Sequence, residues 1–321
     1  MLIIQKFGGS SQASAEGIRR VAKIISDTAA SGAQTVAVLS AVGDTSDILI
    51  DKAHSISAAP PLRELDALLS TGEISAVALM AIQLADMGRE CISLSGHQAG
   101  ILTDARHGEA CILNIDCGRI KKELSAGRIV IVAGFQGASY DGDVTTLGRG
   151  GSDTTAVALA AALGADRCEI YSDVDGIYTA DPRLTNGAHK LDAVDYEDML
   201  LLASNGSQVL QRQSVVTAMQ NKVEVYLLSS FEKSAGTLMT TMNERPALCG
   251  VTRDKDSGTV SVVGKAVCAE TLAQTVAALA SKGIAVHSGE LKRGICSVTV
   301  DHDEQLDALR IVHALHFEEH N

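Results

Sequence analysis

The sequence predicts an α/β fold: a mostly parallel sheet flanked by helices, with a smaller α+β domain after it. Three observations carry that reading. Short β-branched runs alternate with helical stretches over residues 1–240, the pattern of parallel strands joined by helices. The core must be aliphatic, because 46% of the 321 residues are hydrophobic and only 3% are aromatic, and such a composition suits α/β layers. The rhythm then shifts at 237–246, TLMTTMNERP, which reads as a linker. The expected domains are therefore 1–240 and 246–321, in a chain long enough for two cores.

The net charge of −12 comes with no basic stripe, which argues against a nucleic-acid-binding protein. An anionic ligand would have to be held by a few placed cations. The seven cysteines are scattered without a C-x-x-C pair, so they read as reduced thiols in a cytoplasmic protein and not as a zinc site. No signal peptide is visible, and no apolar run reads as long enough to span a membrane.

In order along the chain, LIIQKF (2–7) is a strand, GGSS follows, and AEGIRRVAKIISDTAA (15–30) is an amphipathic helix. Strand, paired glycines and helix make a turn that can cradle phosphate, with Lys6 at the carboxyl end of the strand. Neither the G-x-x-x-x-G-K-[ST] nor the G-x-G-x-x-G pattern is present here. Lys6 taken alone is equally a solvated lysine at a strand end. TVAVLS (35–40) is the next strand, and SAVGDT (40–45) gathers small polar residues before a helix at 46–54. After Pro60 and Pro61, residues 62–88 read as helical with Thr71-Gly72-Glu73 interrupting them. A carboxylate in so apolar a stretch is costly without a partner, unless the turn faces the surface. CISLSGHQAGILTD (91–104) is a strand and loop whose His97, like the later His107, suits an ordinary loop histidine.

The stretch that organises the chain is 129–155, IVIVAGFQGASYDGDVTTLGRGGSDTT. A buried strand at 129–133 leads through glycine-rich loop to GRGGSD (148–153), which opens into the strong helix former TAVALAAALGA. A helix N-terminus offers free N–H groups and about half a positive charge to an anion. Ser152 or Asp153 suits the N-cap, and the Arg149 guanidinium suits a carboxylate or phosphate. RCEIYSDVDGIYTADPR (167–183) is a strand, a turn and an extended loop. Two helices and the strand VEVYLLSSF (223–231) follow. In the tail, strands ALCGVTR and TVSVVG, a helix, strands IAVHSGEL and ICSVTVD joined by KRG, and a closing helix make a small sandwich.

Together KFGGSS, VLSAVGDTSD, STGE, SGHQAGILTD, GFQGASYDGDVTTLGRGGSDTTAVALAAALGAD and CEIYSDVDGIYTADPR resemble the aspartate kinases of the amino acid kinase family, and the tail resembles an ACT domain. Each motif alone is weak, but six in the right order are specific. The resemblance implies an amino acid kinase-type sheet with an ACT-like regulatory domain. It implies ATP and Mg2+ as cofactors and transfer of phosphate to the aspartate side-chain carboxylate. By the same resemblance Lys6, Gly8 and Gly9 attend the phosphate, and Ser172, Asp173, Tyr178 and Arg183 belong to the nucleotide loop. Ser40, Thr45, Glu73 and Arg149 contact substrate, while Asp153 orients Lys6 and meets the substrate ammonium. No protein metal ligands are implied. A carboxylate nucleophile is already ionised at neutral pH, so no general base is required.

Two departures stand out. Where the family reads G-A-K-V-L-H-P, this chain reads GSQVLQR (206–212), with Gln208 at the lysine. Loss of a charged contact to phosphate is worth about 1.5–3 kcal/mol, or about ten- to a hundredfold in rate. The family also commonly carries two ACT units, whereas one is legible here. Effectors in the family bind where such units meet, so weak or altered feedback is expected. A homodimer is the expected assembly, with an amino-acid effector at the ACT-like domain. Two alternatives stay open: a kinase for a related amino acid, and a regulatory protein that binds ATP or amino acids with little catalysis.

Overall fold

The computed structural model describes residues 1–318. Strand β1 is Leu2–Phe7, followed by α1 (Ala15–Ala30), β2 (Gln34–Leu39), α2 (Thr45–Ile56) and α3 (Leu62–Asp86). Next come β3 (Cys91–Leu94), β4 (Ile101–Thr103), β5 (Ile112–Ile115), α4 (Gly118–Ser125) and β6 (Ile129–Ala133). Then follow β7 (Gln136–Ala138), β8 (Val144–Thr146), α5 (Gly151–Leu163), β9 (Arg167–Ser172), β10 (Ala193–Asp195), α6 (Tyr196–Ser204) and α7 (Arg212–Asn221). The chain finishes with β11 (Val225–Ser229), β12 (Thr237–Thr240), β13 (Gly250–Asp254), β14 (Thr259–Val263), α8 (Ala269–Ser281), β15 (Ser288–Lys292), β16 (Ile295–Thr299) and α9 (Gln305–Phe317).

The described residues divide into two compact units, one of 1–175 with 220–234, the other of 176–219 with the residues from 235 onward. The second unit therefore includes 176–219, a span that sequence reading alone groups with the first.

In the first unit, parallel strands run in the order β11-β9-β1-β2-β6-β3. Phe7 pairs with Leu39 and Tyr171, and Leu39 pairs with Ala133. The carboxyl ends of β1, β2, β6 and β9 thus lie level on one edge. The central strands read as unbroken apolar runs because both faces are covered. On one face Phe7, Leu39 and Ile131 pack with Val21, Ala22 and Ile25 of α1 and with Ala76, Val77, Met80 and Leu84 of α3. On the other, Ile4, Val36, Val38, Val130 and Val132 are fully buried, and α5 packs against β1, β2 and β9. Lys6 has the parity of Ile4 along β1 and so belongs to the α5 face. A second, small sheet has the order β5-β4-β7-β8.

Helix α1 spans the residues its pattern predicts, capped by Ser14 Oγ, which accepts from Gly17 N. Helix α3 differs from expectation: it runs unbroken through Thr71-Gly72-Glu73. Gly72 is there for closeness, since a Cβ would lie 3.0 Å from Ala41 Cβ and 3.3 Å from Thr45 Cγ2. The unbroken α3 is long and apolar enough to cross a membrane by length and composition, which corrects the expectation that no such run exists. Here one face of it, Ala76, Val77, Met80 and Leu84, packs in the core, with Asp66 and Glu73 buried as well, while Ile74, Leu79 and Ile82 are exposed.

The second unit holds a parallel pair, β10 with β12, and an antiparallel sheet of order β13-β14-β16-β15. One face of that sheet, Val251, Val260, Val262, Cys296 and Val298, packs on Leu279 of α8 and Ala308, Leu309 and Val312 of α9. This is the sandwich of strands and two helices that the tail predicts. The expected linker, by contrast, begins as strand β12, and its Arg245 forks onto the fully buried Asp198. A guanidinium with a buried carboxylate partner ties the segment into the second unit.

Candidate active site

The site is built on the carboxyl edge of the first unit's sheet. Lys6 Nζ lies 2.6 Å from Asp153 Oδ1, and both side chains are about nine-tenths buried. Lys6 is delivered by the end of β1 and Asp153 by the first turn of α5. The turn after β1 is close-packed: a Cβ on Gly9 would meet Ala41 O at 2.6 Å. Gly9 O accepts from Gly43 N, and Gln12 Nε2 donates to Ser40 O at 2.7 Å. The loops after β1 and β2 are thereby locked together, with Ser40 in the second loop and Thr45 opening α2. Ser172 follows from β9, where its hydroxyl accepts from Val174 N, and the exposed Asp173 is next in the chain.

Helix α5 opens differently from expectation. Its N-cap is Gly150 in the left-handed region (φ 71°), with no side chain capping it. Ser152 and Asp153 lie inside the first turn, which frees Asp153 for Lys6. The approach to this turn is strained, because Phe135 has φ 67°, a region costly for a residue with a Cβ. It is held by its N–H to Thr155 Oγ1 and by Leu147 N to its carbonyl. Between them the exposed Arg149 makes no hydrogen bond or ion pair among the described residues.

Glu73 enters from α3 and is 3% exposed. Ala41 N donates to its Oε1 at 3.2 Å, and its buried Oε2 has no partner. Burial pushes its carboxyl up to about 7, with backbone N–H groups of Glu73 and Ala41 pulling it partly back. A carboxylate at that poise is ready to ionise when a cation arrives.

Tyr178 and Arg183 belong to the second unit. Tyr178 bridges to Lys190, and Arg183 forks onto Asp181 through Nε (3.0 Å) and Nη2 (2.9 Å). That fork holds the Asp181 carboxyl below its usual range. Their loop is anchored through Thr179, whose carbonyl accepts from Val251 N and whose hydroxyl lies 2.9 Å from His313 Nε2. Gln208 and Arg212 are exposed between and at the start of the helices that flank them.

A model of the amino acid kinase family matches residues 1–229. The chain belongs to the amino acid kinase family. Among its curated relatives is the aspartokinase of Mycobacterium tuberculosis, 49% identical over 82% of this chain and 64% of that protein. The aspartokinase of Geobacillus stearothermophilus is 45% identical over 89% of this chain and 71% of its own length. This amino acid kinase thus spans a little under two-thirds of the first of these. In fold it matches E. coli aspartokinase III, a structure in complex with aspartate and ADP, with a TM-score of 0.84. That match covers 99% of this chain and 100% of the other at 20% identity.

In this amino acid kinase the first unit brings Lys6, Gly8, Gly9 and Asp153 to one edge with Ser40 and Ser172, while Glu73 reaches the loop after β2 from α3. Reading by sequence overlooks Asp66. It is 1% exposed and accepts from His107 Nδ1, Gly108 N and Thr146 Oγ1. The signal was available: an aspartate among Leu65, Ala67, Leu68 and Leu69 needs a partner as much as Glu73 does.

Proposed function

We propose that this chain is an aspartate kinase, transferring the γ-phosphoryl group of ATP to the side-chain carboxylate of L-aspartate. Products are 4-phospho-L-aspartate and ADP, on the route toward lysine, threonine and methionine. The observation that carries the reading is the Lys6–Asp153 pair at a glycine-bounded sheet edge, in a chain whose relatives are aspartokinases. A substrate oxygen bonds to phosphorus as the bond to the ADP oxygen breaks, and ADP leaves with that electron pair. The incoming carboxylate is already an anion, so the residues serve positioning and charge neutralisation. Lys6 neutralises the phosphate, and Asp153 keeps its ammonium from swinging away. Arg149 forks to the substrate's α-carboxylate, with Ser40 and Thr45 beside it. Glu73 Oε2 and Asp153 receive the substrate ammonium. Ser172 and Asp173, at the carboxyl end of β9, hold the nucleotide.

Among the described residues no group of three or more His, Cys, Asp or Glu is gathered for a metal ion. Mg2+ would be carried mainly by the phosphate oxygens of the nucleotide, which needs no protein cage. When bound, Mg2+ supplies neutralisation at the transferring group. The seven unpaired thiols support a cytoplasmic setting. Strand β15 is exposed along its length at the edge of its sheet, which supports pairing with a second copy.

The test is hydroxamate trapping of acyl phosphate with Mg-ATP and L-aspartate. Robust trapping establishes the kinase; none, with ATP binding retained, favours a second reading. That reading, a nucleotide- or amino-acid-binding regulatory protein, rests on Gln208 where the family carries lysine.

A further inference from the structure

We propose that Asp66 is a positioning residue for Arg149, and through it sets the affinity for the amino-acid carboxylate. The inference rests on the aspartate kinase reading. Asp66 is buried on α3 with its charge fully partnered. His107 Nδ1 lies 2.8 Å from its Oδ2, Gly108 N is 3.1 Å from both oxygens, and Thr146 Oγ1 donates to Oδ1 at 2.5 Å. Those donors come from two segments far apart in sequence: the 107–110 turn and the end of β8. The same segments are joined directly, Ala110 N to Thr146 O at 2.8 Å.

Both segments underlie the arginine turn. Gly148 has φ 72°, and a Cβ there would stand 3.4 Å from Gly108 O and 3.7 Å from Glu109 Cγ. Thr146 is two residues before Gly148. Leu147 N donates to Phe135 O, and Gly151 N to Gly148 O. Arg149, which no side chain of the described residues holds, is therefore aimed by its backbone alone. That backbone hangs from Asp66 on one side and Phe135 on the other. A guanidinium that must fork a carboxylate tolerates little displacement, since about 1 Å of misplacement costs on the order of a hundredfold.

The experiment is a double-mutant cycle in the full chain. Asp66→Asn keeps the side-chain shape and weakens the tether. The expected result is a KM for aspartate raised about tenfold or more, with KM for ATP held within about twofold. In an Arg149→Ala background the same change adds less than about twofold. Leu84→Ala, a core truncation at the far end of α3, is the stability control and leaves KM for aspartate unchanged. Thr146→Val removes one donor only and moves KM in the same direction by about threefold, which serves if Asp66→Asn fails to fold. Losses that add in the double variant, or an Asp66→Asn that behaves like Leu84→Ala, overturn the inference while leaving the activity in place. Absence of aspartate phosphorylation in the unaltered chain overturns the functional reading and this inference with it.

Discussion

Replacing Glu73 by glutamine isolates the energetic cost of keeping a buried carboxylate at the position where the proposed mechanism places the substrate ammonium. Burial raises the Glu73 carboxyl from 4.5 to about 7. The folded state therefore holds its proton more tightly than the unfolded chain, so this group favours folding fully below about pH 4.5. That contribution is lost as pH rises through 7. The shift, at about 1.4 kcal/mol per unit, corresponds to about 3 kcal/mol once both states are ionised. By about pH 5.5 roughly 1.4 kcal/mol of it is already gone, which leaves about 2 kcal/mol to disappear between there and about pH 8. Glutamine has the same shape, keeps an acceptor for Ala41 N and does not titrate. Urea unfolding of both proteins at the two pH values gives the difference directly. The Glu73→Gln variant is expected to gain about 2 kcal/mol on the native chain between about pH 5.5 and about pH 8. An equal gap at both pH values would refute the assignment of an uncompensated buried carboxyl. The gain has a functional counterpart. Saturating aspartate, by placing its ammonium on Glu73, should flatten the pH dependence of the native chain and leave that of the variant unchanged.

Lys6→Met should leave the fold intact and lower kcat by about a hundred- to a thousandfold, because it removes the buried cation that the proposed mechanism sets against the transferring phosphate; single-turnover trapping of acyl phosphate reads this. Gln208→Lys restores a cation in the exposed loop between α6 and α7. It should raise kcat/KM about ten- to a hundredfold in the hydroxamate assay, and an unchanged rate would mean that position makes no phosphate contact. With one ACT-like sheet among the described residues, lysine and threonine are expected to inhibit this chain weakly. Strong inhibition by either at sub-millimolar concentration in the same assay would show that a complete effector site forms without a second unit.

Much of the architecture was written locally. The residues of α1 carry their own cap in Ser14 and their own apolar stripe, so the helix was legible at both ends. The strands β1, β2, β6 and β9 announce themselves as β-branched runs, and the ordered glycine motifs between them led to the sheet edge where Lys6 and Asp153 pair. The tail's strand and helix order likewise contained its sandwich. Periodicity extends only over neighbouring turns, however, and it misled where tertiary packing decided. Thr71-Gly72-Glu73 looked like a break but continues α3, because Gly72 lets the helix press on Ala41 and Thr45. Residues 237–240 looked like linker but pair as a strand with β10. Ser152 and Asp153 looked like caps, but the left-handed Gly150 takes that place and turns Asp153 toward Lys6. Which carboxylates are buried, and who partners them, depends on chain segments brought together from far apart. Lys6 meets Asp153 because β1 lies at the centre of the sheet beneath α5. Asp66 meets His107 and Thr146 because α3 crosses beside β8. Sequence determined the elements and the chemical parts; only the parallel sheet order, by setting which strand ends are neighbours, made a site of them.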